Sequence, residues 1–571
     1  MGILRRKRLA FILVVFFICF LGLALRLWRI QVVEGEVYAC LALEQGSLSV
    51  SLEDAPRGRF LDRNLVPLDA GKTENRVVVF PEVVKNKDRA AADLAQILGV
   101  NEAAVKKHLA GGPVYLPYSL TPEQTGLIRQ KNWTGIMALP VHLRYGENSL
   151  AAQTLGHLGK VSTYAEYADL AANSAKVYRY DDLVGKTGLE KVYEEDLKGN
   201  RPERAVRVFK DAKGKLLDGP GFEMEEQAPD RDRRDVVLTL DVRIQQVVED
   251  IMDRQVDRGA VVVMEAGTGD ILAMTSRPSF DPARPAQNID GGAEGSSFDH
   301  CTALYQPGSV FKIVVAAAAL EDNPARLHSS FTCLGENESL MHCWKLGGHG
   351  RINFTSAFAQ SCNPTFARIG LDLGAQQLIE YARRLGLDNQ NIIGYPMGYD
   401  PRQDLSLIGE PYNLVNCSIG QGPVLVTPLQ VAAMTNTIVS GGIYREPRLV
   451  KEIRSSSSGS VAQEFYADAG NRAVSPDTAE ILRSLMESVV DTGTGTEAAV
   501  TVFGSAGKTG SAQVGSSGEQ TDAWFTGYAP RKNPRYVVTV LVEGGASGSE
   551  SAAPIFREIM EKITGGQSPV L

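Results

Sequence analysis

The chain has 571 residues, of which 44% are hydrophobic and 22% are charged, and its formal net charge is −8. This length exceeds one ordinary domain, so two or three domains are expected. The acidic balance argues against nucleic-acid binding, which usually requires a basic face. Seven cysteines in so long a chain also exclude a disulfide-stabilised scaffold.

An apolar run near the N-terminus predicts a membrane anchor. Four consecutive basic residues precede the uncharged residues 9–25, and Arg26 closes the run. We expect residues 1–8 to form a cytoplasmic tail and residues 9–28 to span the cell membrane once, with the remaining chain outside the cytoplasm. A cleaved signal peptide is the alternative, but the run is long for one and no small-residue cleavage site follows it.

The next segment, residues 29–229, mixes short strands with helices and is predicted to be a separate domain. Residues 77–80 have the composition of a strand, and apolar positions over residues 89–100 recur at helical spacing. Thr121-Pro122 is typical of a helix start. The charged residues 230–236 are predicted to be a linker to the next domain.

Residues 237–566 are predicted to form an α+β domain. Residues 260–264 and 271–274 have the pattern of a hairpin, and residues 523–528 and 536–542 have the pattern of strands. Helical patterns occupy much of the sequence between these two pairs. Strands at both ends with helices between them indicate that the terminal segments share one sheet.

The first candidate catalytic motif in this domain is Ser309-Val310-Phe311-Lys312. The apolar residues 313–320 follow it and predict a buried helix that begins near Ser309. Lys312 lies one turn on, and burial lowers the pKa of a lysine, so a neutral Lys312 could take the proton of Ser309. An isolated Ser-x-x-Lys is more often a capping serine and a surface lysine, but this helix offers Lys312 no polar face.

The second candidate motif is Ser361-Cys362-Asn363, directly before Pro364. In an irregular segment, the Ser361 hydroxyl and the Asn363 amide point the same way and could lie beside the nucleophile. On this evidence alone, a turn or a helix cap is the commoner role for such a tripeptide.

The third candidate motif is Lys508-Thr509-Gly510-Ser511. On a strand, Lys508 and Gly510 would share one face, and Gly510 would leave room for a substrate backbone to pair with the strand edge. Lys508 offers a positive charge for a carboxylate, while Thr509 and Ser511 offer hydroxyls. A second Lys-Thr-Gly at residues 186–188 shows that the tripeptide alone is weak, and a glycine-rich loop is the alternative.

Together and in this order, the three motifs match those of penicillin-binding proteins and class A β-lactamases. The chain resembles a class B penicillin-binding protein, a peptidoglycan D,D-transpeptidase of the penicillin-binding protein 2 or septal groups, over nearly its whole length. Further segments that look like this family are residues 56–64, 156–159, 185–190, 273–274, 278–282, 419–422, 427–430, 493–495 and 524–528. Small departures are Leu65, Cys362 and Ser511, of which Ser511 keeps the usual hydroxyl.

The resemblance implies a fold for each region. Residues 29–229, with the second Lys-Thr-Gly, would form an elongated, non-catalytic pedestal of the dimerisation type. Residues 237–566 would form a serine transpeptidase domain related to β-lactamases, with an antiparallel sheet flanked by helices.

The resemblance also implies a mechanism. Ser309 would attack the penultimate D-Ala of a stem peptide with Lys312 as base, and Ser361 with Lys508 would pass a proton to the leaving D-Ala. An amine from a neighbouring strand would then complete the cross-link. Backbone N–H groups of Ser309 and Ser511 would form the oxyanion hole. Asn363 would complete the catalytic set by orienting the substrate, and the substrate-binding residues would be Thr509, Gly510 and Ser511.

The same resemblance implies the partners. Stem peptides would be the substrates, β-lactams would acylate Ser309, and the reaction would serve division, elongation or sporulation. No segment resembles a glycosyltransferase, so the expected partner is a separate membrane glycan polymerase of the SEDS type. No cofactor is required for this chemistry.

Four residues near the second motif raise the question of a structural metal. Cys333, Cys343, His349 and Cys362 fall within thirty residues, and three cysteines with one histidine make a zinc set, although the spacing is wide. Some elongation-type members of the family bind zinc beside the same motif. A Cys333–Cys343 disulfide and free thiols are the two alternatives.

Two other functions remain open at this level. A β-lactamase would need neither the anchor nor the pedestal, whereas a D,D-carboxypeptidase would differ only in using water as acceptor, which no sequence feature decides. A catalytically idle cell-wall scaffold is the non-enzymatic alternative, and the complete set of catalytic side chains argues against it.

Overall fold

The computed structural model describes residues 2–33, 47–69, 71–146, 149–180, 182–209, 222–226, 229–285, 295–396, 402–410, 412–515 and 520–565. Cys40 lies outside the described residues. Contacts divide the chain into two compact units, which are interleaved in sequence.

The strands are β1 (Ser47–Ser51), β2 (Phe60–Leu61), β3 (Lys72–Val79), β4 (Val114–Ser119), β5 (Ile136–Leu143), β6 (Leu158–Lys160), β7 (Leu183–Gly185), β8 (Arg204–Phe209), β9 (Phe222–Glu226), β10 (Arg234–Leu238), β11 (Gly259–Glu265), β12 (Ile271–Arg277), β13 (Ser330–Cys333), β14 (Gly350–Asn353), β15 (Ile443–Tyr444), β16 (Val450–Ser455), β17 (Val461–Glu464), β18 (Asn471–Arg472), β19 (Ala506–Val514), β20 (Gln520–Ala529) and β21 (Tyr536–Val542).

The α-helices are α1 (Gly2–Trp28), α2 (Lys87–Leu98), α3 (Glu102–Leu109), α4 (Pro122–Lys131), α5 (Ala152–Leu155), α6 (Tyr164–Asn173), α7 (Gly188–Val192), α8 (Glu194–Leu197), α9 (Val242–Gln255), α10 (Lys312–Asp322), α11 (Phe354–Ala359), α12 (Asn363–Leu373), α13 (Ala375–Arg384), α14 (Asn413–Cys417), α15 (Pro428–Val439), α16 (Pro476–Asp491) and α17 (Ala553–Gly565).

The N-terminal helix α1 is apolar along most of its length. The span Phe11–Val32, which starts in α1 and ends in the π-helical turn Arg29–Val33, has 22 residues with a mean hydropathy of 2.6 in its most apolar window, and none of that window is buried. A helix of this length and composition can cross a membrane. The predicted anchor over residues 9–28 falls on this helix, so the structure is consistent with membrane anchoring.

The first unit comprises Met1–Pro56, Lys72–Leu143 and Arg201–Pro229. It contains the antiparallel sheets β4-β3-β5 and β1-β8-β9, and the helices α2, α3 and α4 pack against the first sheet. Helix α4 begins as predicted: Thr121 accepts a hydrogen bond from the Gln124 backbone, and Gln124 reciprocates in a capping box.

The second unit comprises Arg57–Gly71, Arg144–Asn200 and Asp230–Leu571. Two segments of the predicted pedestal pack with the C-terminal domain. The end of the predicted linker over residues 230–236 belongs to strand β10, which pairs with β16 and β2. Asp235 is buried in this strand despite its charge, because its carboxylate accepts hydrogen bonds from the Arg59 N–H and the Ser456 hydroxyl, which are distant in sequence.

The second unit contains a five-stranded antiparallel sheet in the order β12-β11-β21-β20-β19. This confirms that the two ends of the domain share one sheet. Val261 and Val263 of β11 pack into a cluster with α9 and α17, whereas Val262 and Met264 pack on the other face with α10 and α15. Both faces are covered, which explains why residues 260–264 of β11 are apolar at every position. Strand β19, with the third motif, lies at one edge.

Candidate active site

Ser309 lies in a tight 3-10 turn, Gly308–Phe311, that leads into helix α10. The buried helix predicted after Ser309 is therefore present. Gly308 has φ +53°, and its N–H donates to the Gly420 carbonyl at 2.9 Å. A Cβ on Gly420 would lie 1.9 Å from the Gly308 carbonyl oxygen. The close approach of these two glycines fixes the turn that presents Ser309.

Lys312 is completely buried at the start of α10. Its Nζ donates to the Ser361 carbonyl at 2.8 Å, to the Ser361 hydroxyl at 3.1 Å and to the Asn363 side-chain oxygen at 2.7 Å. Burial disfavours the charged ammonium and lowers the pKa of Lys312 to about 7. A lysine in this state can accept a proton near neutral pH.

Ser361 lies between helices α11 and α12, in the irregular segment that the sequence predicts. It has φ +52°, which is uncommon for a residue with a side chain. The Ser361 N–H donates to Phe358, and the Cys362 N–H donates to Ala357, so the end of α11 holds this conformation. As a result, the side chains of Ser361 and Asn363 both face Lys312.

Lys508 lies on strand β19, as predicted, and is completely buried. Its Nζ donates to the Ser361 hydroxyl at 3.1 Å and to the Thr509 carbonyl at 2.9 Å. Burial and then the nearby charge of Lys312 lower the pKa of Lys508 well below its usual range. The second and third motifs therefore meet at one hydroxyl group.

Gly510 allows close packing against the turn that carries Ser309. A Cβ at this position would lie 2.9 Å from the Pro307 carbonyl oxygen and 3.1 Å from a methyl group of Val310. On either side of Gly510, the Thr509 hydroxyl lies 2.5 Å from that of Thr494, and the Ser511 hydroxyl accepts the Gly548 N–H at 3.1 Å.

The three motifs line one cleft of about 490 Å³. It contains the predicted residues Ser309, Ser361, Asn363, Thr509, Gly510 and Ser511, while Lys312 and Lys508 are buried beneath it. The lining residues that were not predicted as site residues are Trp344, Gln360, Gly493, Thr494, Ser547, Ser549 and Glu550. The family-like segment 493–495 could have identified Gly493 and Thr494 as site residues. For Trp344, the one sequence indication is its position next to Cys343.

The four candidate metal ligands also come together. One ligand atom from each of Cys333, Cys343, His349 and Cys362 lies within 4.8 Å of all the others. Nδ1 of His349 is 3.5 Å from the sulfur atoms of Cys333 and of Cys343. Every cysteine in the described part of the chain has a free thiol, so the alternative Cys333–Cys343 disulfide is not formed in this structure.

The second Lys-Thr-Gly, at residues 186–188, has surroundings of another kind. Lys186 pairs with Glu166 at 2.5 Å, and the Thr187 hydroxyl lies 2.9 Å from Nδ1 of His157. Nearby Glu190 is fully buried against Arg57 and Arg144. These contacts are structural, and residues 186–188 do not line the active-site cleft.

Comparison with known proteins gives the family. Residues 259–561 match the penicillin-binding protein transpeptidase domain, and residues 52–219 match the penicillin-binding protein dimerisation domain. The chain therefore belongs to the penicillin-binding protein transpeptidases, with the two-domain composition of class B members. This confirms the resemblance drawn from the motifs.

Individual relatives match along almost the whole chain. Stage V sporulation protein D of Bacillus subtilis is 32% identical over 97% of this chain and 85% of the relative. Peptidoglycan D,D-transpeptidase MrdA of Haemophilus influenzae is 26% identical over 95% of this chain and 90% of the relative. A solved chain from a peptidoglycan synthase complex that coordinates polymerization and crosslinking has a TM-score of 0.71, with 24% identity and 99% coverage of both chains.

Proposed function

We propose that this protein is a peptidoglycan D,D-transpeptidase that cross-links stem peptides through an acyl-serine intermediate on Ser309. One observation carries the proposal: the Ser361 hydroxyl lies 3.1 Å from both Lys312 Nζ and Lys508 Nζ, in the cleft that Ser309 lines. The family and the named activities of the relatives support the same reaction.

Acylation begins with the Ser309 hydroxyl. Neutral Lys312 takes its proton as the oxygen attacks the carbonyl carbon of the penultimate D-Ala, and the carbonyl electrons move onto the oxygen. The backbone N–H groups of Ser309 and Ser511 stabilise that oxyanion. The location of Ser309 at the start of a buried helix further favours negative charge there.

The tetrahedral intermediate then loses the terminal D-Ala. The leaving nitrogen receives a proton from Ser361, which draws on Lys508 or Lys312, and the C–N bond breaks to leave the acyl-serine. Asn363 orients the substrate amide, while Thr509 and Ser511 bind the terminal carboxylate. An acceptor amine reverses these steps, passing its proton back through Ser361 as it forms the new amide.

The N-terminal part of the chain has supporting roles in this proposal. Helix α1 anchors the protein with its N-terminus in the cytoplasm, and residues 29–229 contribute the non-catalytic pedestal. A separate glycan polymerase supplies the strands, which the peptidoglycan synthase complex of the solved relative supports.

Zinc is proposed as a structural ion bound by Cys333, Cys343, His349 and Cys362. The sulfur and nitrogen atoms fit a four-ligand zinc site, because they are of the types that zinc prefers and all lie within 4.8 Å of one another. A bound ion would tie the β13–β14 hairpin to Cys362, which lies between Ser361 and Asn363. It would stabilise the second motif and supply no chemistry to the acyl transfer.

Labelled penicillin tests the proposed function. The full-length protein in detergent should form a stable covalent adduct that mass spectrometry maps to Ser309, and Ser309→Ala should form none. Rapid turnover of the penicillin without an adduct would indicate a β-lactamase. An adduct followed by hydrolysis but no transfer to an amine would indicate a carboxypeptidase, and no reaction in folded protein would favour the scaffold.

A further inference from the structure

Trp344 forms part of the wall of the active-site cleft, although none of the three catalytic motifs contains it. Trp344 is 57% exposed, so a molecule bound in the cleft can contact the indole. The described residues lining the cleft with it offer mostly hydroxyl and backbone groups, so the indole is the main apolar surface available to a substrate.

The indole is held in place despite its exposure. Its Nε1–H donates to the Gln360 carbonyl at 3.0 Å, and the ring meets His349 edge-on at a centroid distance of 5.7 Å. The preceding residue, Cys343, belongs to the Cys/His cluster. A surface fixed before binding loses little conformational entropy when a ligand contacts it, as a binding residue requires.

The position of Trp344 indicates which substrate it contacts. Its indole is hydrogen-bonded to the carbonyl of Gln360, the residue before Ser361. In the proposed mechanism, Ser361 donates the proton to the leaving nitrogen. By microscopic reversibility, the acceptor nitrogen enters where the leaving nitrogen departed. The acceptor therefore approaches along the side of the cleft on which Trp344 lies.

The chemistry of the cleft suits a cationic acceptor. An indole face attracts both alkyl chains and ammonium groups. Among the described lining residues, Glu550 is the one carboxylate and no lysine or arginine is present. An amine-bearing side chain of a stem peptide combines an alkyl chain with an ammonium group, so it matches this surface. The bound ammonium releases one proton to solvent before the neutral amine attacks, and the second proton passes through Ser361.

We propose that Trp344 is an acceptor-binding residue, which holds the alkyl-amine side chain of the acceptor stem peptide during the second half of the reaction. This inference rests on the proposed transpeptidase function. It assigns a role in aminolysis and none in acylation of Ser309.

The test separates the two half-reactions in the full-length protein in detergent. A thioester analogue of the acyl donor supplies the acyl group, and a lysine-containing peptide amide competes with water as acceptor. Trp344→Ala should lower the ratio of aminolysis to hydrolysis by about tenfold or more, while the rate of Ser309 acylation by penicillin stays within about twofold. Trp344→Phe, which keeps an aromatic face, should lose about threefold or less.

Leu346→Ala is the matched control, because Leu346 is 82% exposed on the same loop and does not line the cleft. It should leave the ratio unchanged. An equal fall in acylation and aminolysis in Trp344→Ala would overturn the proposal, since it would show that Trp344 only positions the Ser361 segment. An unchanged ratio would overturn it as well.

If transfer from the acyl-enzyme is too slow to follow, binding of the acceptor can be measured instead. The emission of Trp344 in the penicillin-acylated protein, isolated by subtracting Trp344→Phe, should respond to the lysine peptide amide and not to its Nε-acetylated form. No response would overturn the inference while leaving the proposed function intact. Failure of the wild-type protein to acylate at all would instead contradict the proposed function.

Discussion

Lys312 and Lys508 place their side-chain nitrogens at the same hydroxyl group, each 3.1 Å from the oxygen of Ser361. Both lysines are completely buried, so desolvation lowers both pKa values, and for Lys508 the charge of Lys312 adds to the effect. Two ammonium groups are therefore disfavoured at this site. The pair can release and take up a proton near neutral pH, as acyl transfer through Ser309 requires.

The pH dependence of acylation should report the state of Lys312. Because its pKa is lowered to about 7, the neutral base predominates above pH 7 and the ammonium below it. The second-order rate constant for penicillin acylation should therefore rise with pH and level off above about pH 8, and at pH 6 it should be about a tenth of the plateau. A rate that is flat from pH 6 to pH 9, in protein whose circular dichroism is constant, would contradict the role of Lys312 as base.

Lys508→Ala should slow acylation of Ser309 by about 100-fold or more, because the Ser361 hydroxyl loses one of its two lysine partners. The matched control is Lys186→Ala in the second Lys-Thr-Gly. Lys186 makes a partly exposed ion pair with Glu166, so its loss should leave acylation unchanged and cost about 1 kcal/mol of stability or less. Equal effects of the two substitutions on acylation would refute the assignment.

Gly420→Ala should disturb the turn that carries Ser309. Gly420 has φ +76°, and the new Cβ would lie 1.9 Å from the Gly308 carbonyl oxygen. We expect the substitution to slow acylation about tenfold or more and to cost about 3 kcal/mol, of which about 1 kcal/mol is backbone strain. Thermal unfolding and penicillin labelling measure the two effects.

Gly422→Ala is the control for this prediction. Gly422 has φ +78°, but its nearest contact to a new Cβ is 3.6 Å away at Asn416. It should show the backbone strain of about 1 kcal/mol without the loss of acylation. A similar loss of acylation in both variants would mean that the close approach of Gly420 to Gly308 is not what positions Ser309.

Zinc content should be one ion per chain in protein purified without chelators. Cys343→Ser should lower that content and slow acylation, because Cys362 of the same cluster lies inside the second motif. Cys417→Ala, which removes a buried thiol outside the cluster, should keep the zinc. Absence of zinc with all three thiols of the cluster reactive would indicate free cysteines, and absence of zinc with two of those thiols missing would reveal a disulfide.

Several features follow from short stretches of sequence. The apolar residues after Lys312 bury helix α10, and a lysine three positions after a serine lies one turn along from it, so the first motif could be read locally. The composition of the strands at both ends of the domain predicted that they share one sheet. Thr121 and Gln124 specified a helix start because their hydrogen bonds join residues three apart.

Other features arise only when distant segments pack together. Ser361 and Lys508 are 147 residues apart, and their 3.1 Å contact depends on β19 lying beside the turn of Ser309. Strand β10 extends into the charged residues 230–236, where the Asp235 carboxylate accepts hydrogen bonds from the distant Arg59 N–H and Ser456 hydroxyl. Trp344 lies in the cleft because its loop packs beside Gln360, 16 residues away in sequence, to whose carbonyl the indole donates a hydrogen bond. Sequence thus determined which groups are present and their local conformation, whereas tertiary packing decided which of them meet, because desolvation and hydrogen bonding act between segments that sequence spacing does not relate.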